Sequence, residues 1–195
     1  MRLILTALAL FASLPARAAP PPEELLPMPE LLITLAGSYN DVKFKDPNLQ
    51  VDACGNGCTL RDRITVPANP ALFKFAPTVD INGNQLPQAP KLTLNLTARY
   101  SWALPNGAEF YVFTDWAHRS KVNFFLYDSV EFTGKSLTEG GLRVGYIFGD
   151  GRYEAAIFGR NITNQIRTTG AIDFNNLTGF INDPRTYGVS FKALF

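Results

Sequence analysis

The chain is short of charge. Only 18% of its 195 residues are Asp, Glu, Lys or Arg, against roughly 25% in soluble globular domains. The net charge of +1 leaves no basic stripe, which argues against a nucleic-acid partner. One histidine and two cysteines fall short of the four-ligand set of a structural zinc site. No catalytic residue, cofactor or metal is therefore expected. His118 lacks a supporting triad. It shares the parity of Trp116 and reads as an interface residue. There is also no run of ~20 apolar residues, the length a helix needs to cross a bilayer. Crossing by strands stays open, because closed barrels satisfy their backbone without helices.

Aromatic residues, by contrast, are plentiful: 15 Phe, 7 Tyr and 2 Trp, within a hydrophobic share of 46%. The first residues read as an export signal. Arg2 supplies a positive start, Leu3 to Leu14 form a largely apolar run, and "ARA" at Ala16–Ala18 is a small-x-small cleavage site. As a helix the run would span only ~18 Å, too short for a hydrocarbon core of ~30 Å. A signal peptide over 1–18 is expected. Residues 19–30, "APPPEELLPMPE", carry five prolines and read as an extended linker, unable to continue a helix or a central strand. In an exported chain the "CGNGC" stretch predicts a disulfide between Cys54 and Cys58 that staples a glycine-rich loop.

From residue 31 onward the recurring signal is alternation. In "KLTLNLTARYSWAL", Leu92, Leu94, Leu96, Ala98, Tyr100 and Trp102 fall on one parity, and Thr93, Asn95, Thr97, Arg99 and Ser101 on the other. Period two is the strand period. Similar runs predict about six long strands, over 31–44, 91–104, 108–125, 136–149, 152–163 and 185–195. "PNG" at 105–107 and "GDG" at 149–151 are tight hairpin turns. The links 45–90 and 164–184 are long, and 126–135 is intermediate. Strands of soluble sandwiches average about 5–6 residues, whereas a tilted transmembrane strand needs about 9–11.

Long alternating strands, with tight turns at one end and long loops at the other, are the pattern of an outer-membrane barrel. The expected fold class is therefore all-β: an antiparallel transmembrane β-barrel segment of about six long strands, a partial barrel. The competing architecture is a secreted sandwich whose apolar parity meets a second sheet. On the barrel reading Arg99, Asp115, Arg119, Lys121, Arg143, Glu154 and Arg160 form an interior polar face, and outer-membrane lipid meets the apolar one. Counting from the C-terminal strand puts the tight turns on the periplasmic side and the long loops outside.

The last third carries a more specific pattern. "GRYEAAIFGRNITNQ", then a loop, then "FINDPRTYGVSFKALF" resembles the C-terminal end of TonB-dependent outer-membrane receptors. The matching positions are Gly159–Asn164, Pro184–Val189 and Phe195, supported by "LPQAPKLTLNLTARY" before residue 101. The resemblance covers about residues 31–195. It implies the wall of a barrel of about 22 strands with a plugged lumen, in the outer membrane of a Gram-negative bacterium. It also implies uptake of a scarce nutrient such as a siderophore, cobalamin or an oligosaccharide. Tyr187, Val189, Phe191 and Phe195 would then form the closing strand and the signal read by the barrel assembly machinery. No plug is recognisable in the sequence, so the expectation is a truncated remnant that engages the TonB system only if a plug is supplied elsewhere. The alternative is a small exported β-sheet binding module that uses the long loop 45–90.

Overall fold

The computed structural model describes residues 30–55, 57–174 and 177–195. The expected signal peptide and most of the linker lie outside these residues, as does Asn56 between the two cysteines. Among the described residues thirteen strands follow one another: β1 (Leu31–Tyr39), β2 (Gln50–Asp52), β3 (Ile64–Val66), β4 (Thr78–Asp80), β5 (Leu92–Ala103), β6 (Glu109–Arg119), β7 (Val122–Asn123), β8 (Thr133–Gly134), β9 (Leu137–Phe148), β10 (Tyr153–Arg160), β11 (Thr168–Asp173), β12 (Leu177–Ile181) and β13 (Thr186–Ala193). The only helical turn among the described residues is a 3-10 turn at Pro70–Leu72.

Six strands form one antiparallel sheet in the order β1-β5-β6-β9-β10-β13. This is a meander, each strand pairing with the one before it in the wall. The two tight turns have the chemistry their hairpins require. Pro105-Asn106-Gly107 closes with Leu104 donating to Ala108 and Gly107 in the left-handed region, at φ 77°. That is the three-residue loop with glycine at its bulge position. Gly149, Asp150 and Gly151 all take positive φ, as a primed turn demands of its central residues.

The sheet is open. β1 and β13 are its two edges and do not pair with each other, so the chain by itself does not close a barrel. The six expected strands appear in the expected order, but several stop earlier. The 108–125 strand ends at Arg119, where Ser120 turns back to exchange hydrogen bonds with the Leu92 backbone. Val122 and Phe124 are therefore buried among the loops instead of extending the apolar face. Likewise 31–44 stops at Tyr39, 152–163 at Arg160 and 185–195 at Ala193. Phe195 lies beyond the last strand, fully exposed.

The long links all leave the same end of the sheet, and they fold together. Residues 45–90 hold a three-stranded sheet, β2-β4-β3. The chain after β6 adds the β7–β8 hairpin, and the chain after β10 adds β11–β12. A cluster of Ala53, Cys54, Val79, Ile81, Tyr127 and Phe132, with Phe125 and Ala171 packed against it, joins residues from all three links. The compact hydrophobic core thus sits in this cap and not under the six-strand wall.

Candidate functional site: a two-faced wall under a loop cap

The pleat sorts the wall into two chemically different faces. On one, Arg99 donates to Glu109 at 2.6 Å, and its guanidinium lies 4.1 Å over the Tyr111 ring. The Tyr111 hydroxyl donates to Glu154 at 2.6 Å and accepts from Arg143 Nε at 2.7 Å. Arg143 also donates to Glu154 at 2.7 Å and to Ser190 at 2.8 Å. One connected network therefore runs from β5 to β13. Higher up, Arg160 grips both oxygens of Asp115, at 2.7 and 2.8 Å. Charge-assisted hydrogen bonds hold these groups in fixed positions.

Of the residues expected on the interior polar face, Arg143 and Glu154 meet, and so do Asp115 and Arg160. Arg99 reaches Glu109 instead of another member of that set. Arg119, at the upper end of β6, donates to the Thr168 carbonyl of the cap at 2.8 Å. Lys121 lies past the end of β6, near Arg61 and Lys135; it is not on the wall, because the strand ends two residues before it. Tyr111, the hub of the network, was missing from the set. Its parity with Glu109 and Asp115 in "EFYVFTD" was the signal that could have found it.

The other face is apolar and uncovered. Leu35, Ile157, Val189 and Phe191 lie on it, with exposures of 73, 61, 81 and 66%. Toward the tight-turn end it carries a belt of rings. Tyr100, Trp102 and Phe110 are spaced 4.3 and 5.3 Å apart. Tyr146, Phe148, Tyr153 and Phe191 follow at 5.7, 5.3 and 6.3 Å. These rings flank both hairpin turns in the sequence, "YSWALPNGAEF" and "YIFGDGRY", a placement readable without the structure. His118, near the opposite end of this face, has Nδ1 2.7 Å from Thr138 Oγ1.

Where wall meets cap, Asp115, Ala117, Glu139, Gly141, Arg160 and Asp183 line a polar cleft of ≈ 500 Å³. Glu139 accepts from Asn182 at 2.7 Å. Asn161, in the left-handed region at φ 45°, is buried and donates to the carbonyls of Gln165 and Asp183. Among the described residues no group of three or more His, Cys, Asp and Glu side chains could hold a metal ion.

The cap is cross-tied by polar contacts between distant segments. Cys54 and Cys58 are disulfide-bonded, with Cα atoms 6.2 Å apart. Glu131 accepts from the Thr59 amide and hydroxyl, both at 2.8 Å, and the amide bond holds its carboxyl below the usual range. Asp62 accepts from the Asp128 amide at 2.7 Å and from Asn84 at 2.8 Å. Its carboxyl is nevertheless pushed up, because burial outweighs those two bonds. Tyr127 donates to Asp173 at 2.5 Å, and burial, then the Asp173 carboxylate, push its hydroxyl up. No protein-family model, curated protein or solved structure matches the chain.

Proposed function

We propose that the chain is the wall segment of an outer-membrane β-barrel of the TonB-dependent receptor type, serving nutrient uptake. The observation that carries this reading is the uncovered apolar face with its belt of aromatic rings at one end. In water such a face would be covered by a second layer. In a bilayer it needs no cover, and aromatic girdles at the membrane interface are what an outer-membrane strand presents there. Wall strands of 8 to 12 residues match the length needed to cross.

On this reading the ion-paired face lines an aqueous path, the tight turns lie in the periplasm, and the cap faces outward. The cap would present the first surfaces a nutrient meets, and the polar cleft beneath it the next. Siderophores, cobalamin and oligosaccharides all fit a hydrogen-bonding wall of this kind. Transport energised by TonB would require a plug in addition to the described residues. Orientation with long loops outside follows the general rule for such barrels.

A second reading, an exported binding module that works through residues 45–90, is favoured by one observation. The cap has a core and a disulfide of its own, so it can present a fixed surface. Fractionation separates the two. The full chain, expressed in a Gram-negative host, is expected in the outer membrane and to migrate differently on gels before and after boiling. Recovery in the soluble periplasm, with no heat-dependent shift, would refute the wall reading and favour the module.

A further inference from the structure

We propose that the two open edges of the wall are partners for each other in different copies of the chain: β13 of one copy adds antiparallel to β1 of the next, and copies close a barrel together. This rests on reading the apolar face as lipid-facing, since it is hydrocarbon that makes an open edge intolerable.

Neither edge carries a proline or a bulge. Edge strands that are meant to stay single carry proline, a bulge, inward charges or a very short length. β1, "LLITLAGSY", has no charged residue and no proline, and its register with β5 is unbroken from Leu31 to Tyr39. β13, "TYGVSFKA", has one lysine and no proline, and it pairs with β10 without a shift from Thr186 to Ala193. Among the described residues, neither edge pairs with another strand along its outer side.

Direction then selects the partner. Six strands in an antiparallel meander make the first and last run opposite ways. A second copy, set beside the first with its cap at the same end, presents β1 antiparallel to β13. The alternation continues without a break, as it would not with an odd number of strands. Folding β1 onto β13 of the same copy would close only the six described wall strands, below the usual minimum of about eight. Two or more copies reach the observed range.

Side-chain chemistry fits the same seam. Aligning Leu31 with Ala193, Ile33 with Phe191, Leu35 with Val189 and Gly37 with Tyr187 keeps every one of these on the apolar face. The same register sets Thr34 by Ser190 and Ser38 by Thr186 on the polar one. It also lays an aromatic ring across from a glycine. The wall already does this four times, with Trp116 opposite Gly140, Tyr111 opposite Gly145, Phe158 opposite Gly188 and Tyr187 itself opposite Gly159.

The test uses the full chain in outer membranes. The double variant Thr34→Cys/Ser190→Cys, oxidised in place, is expected to give a ladder at whole multiples of the monomer that collapses on reduction. Ile33→Cys/Ser190→Cys, whose thiols lie on opposite faces, is expected to give none. The unaltered chain extracted in detergent is expected to have the mass of two or more chains. Membrane-embedded protein that is monomeric by mass and gives no ladder overturns the pairing and leaves the lipid reading standing. So does a cross-link formed within one chain or to a different protein. Recovery of the chain in the soluble fraction overturns both.

Discussion

Tyr111 stands directly across from Gly145 in the ladder between β6 and β9, and its ring occupies the space that a Cβ on Gly145 would need. The glycine is what lets the ring lie flat against the wall, where Tyr111 is only 3% exposed. Gly145→Ala is expected to push the ring off the sheet at a cost of about 1–3 kcal/mol, the usual range for overpacking. Urea unfolding of detergent-solubilised protein, followed by tryptophan fluorescence, reads this as a lower midpoint. An unchanged midpoint would show that the ring has room to move.

The hydroxyl of Tyr111 has a separate role from its ring. It serves both Arg143 and Glu154, so Tyr111→Phe keeps the packing but leaves one part-buried donor and one part-buried acceptor short. The expected loss is about 1–3 kcal/mol. If Arg143→Met is made in the Phe background, the second change should cost less than it does alone, because the two share partners. Full additivity of the two losses would argue against a single network.

Arg160 and Asp115 form a half-exposed pair, at 59 and 36%. Removing Arg160 should therefore change stability little, by about 0–1 kcal/mol. Its effect should appear in the field of the cleft. With Arg160→Ala, Asp115, Glu139 and Asp183 remain without the cleft's cation. On the proposed function, reversal potentials in planar bilayers under a potassium chloride gradient should shift toward cation preference. No shift would place this face away from the ion path.

The wall was legible in the sequence because its signal is local. Period-two alternation and the Pro-Asn-Gly and Gly-Asp-Gly turns each act within one or two residues. Strand ends were harder to read. Alternation runs on through Val122 and Phe124, but those side chains are taken by the cap, whose packing depends on residues as distant as Val79 and Thr168. The cap's three-stranded sheet was missed for the same reason. Its strands are three residues each, too short to show a period, and only contacts across the chain hold them. Among the polar residues, Arg143 and Glu154 meet across the wall, whereas the parity that carries Lys121 ends with the strand at Arg119.

The disulfide should act on the cap alone. Cys54 and Cys58 are four residues apart, and closing so small a loop stabilises by about 2 kcal/mol on the chain-entropy relation. Cys54 also packs in the cap core. Replacing both by Ala is expected to open residues 45–81 to protease while the wall keeps its strand content by circular dichroism. Loss of both together would mean that cap and wall fold as one unit.

Acid should loosen the cap at one tie and spare another. Glu131 has a folded pKa below its unfolded value. Its contribution is therefore present above the ordinary carboxylate range, about 4.3, and fades as pH falls through the lower folded value. Asp62 is shifted the other way, by burial. What it contributes is present below the ordinary range and declines as pH rises through the raised folded value. Amide hydrogen exchange separates them, after correction for the intrinsic pH dependence of exchange. Protection of the Thr59 amide, which donates to Glu131, should fall on acidification, and Glu131→Gln should abolish that fall. Protection of the Asp128 amide, which donates to Asp62, should hold or rise over the same interval. A parallel loss at both amides would mean that acid acts on the cap as a whole and not through these two carboxylates.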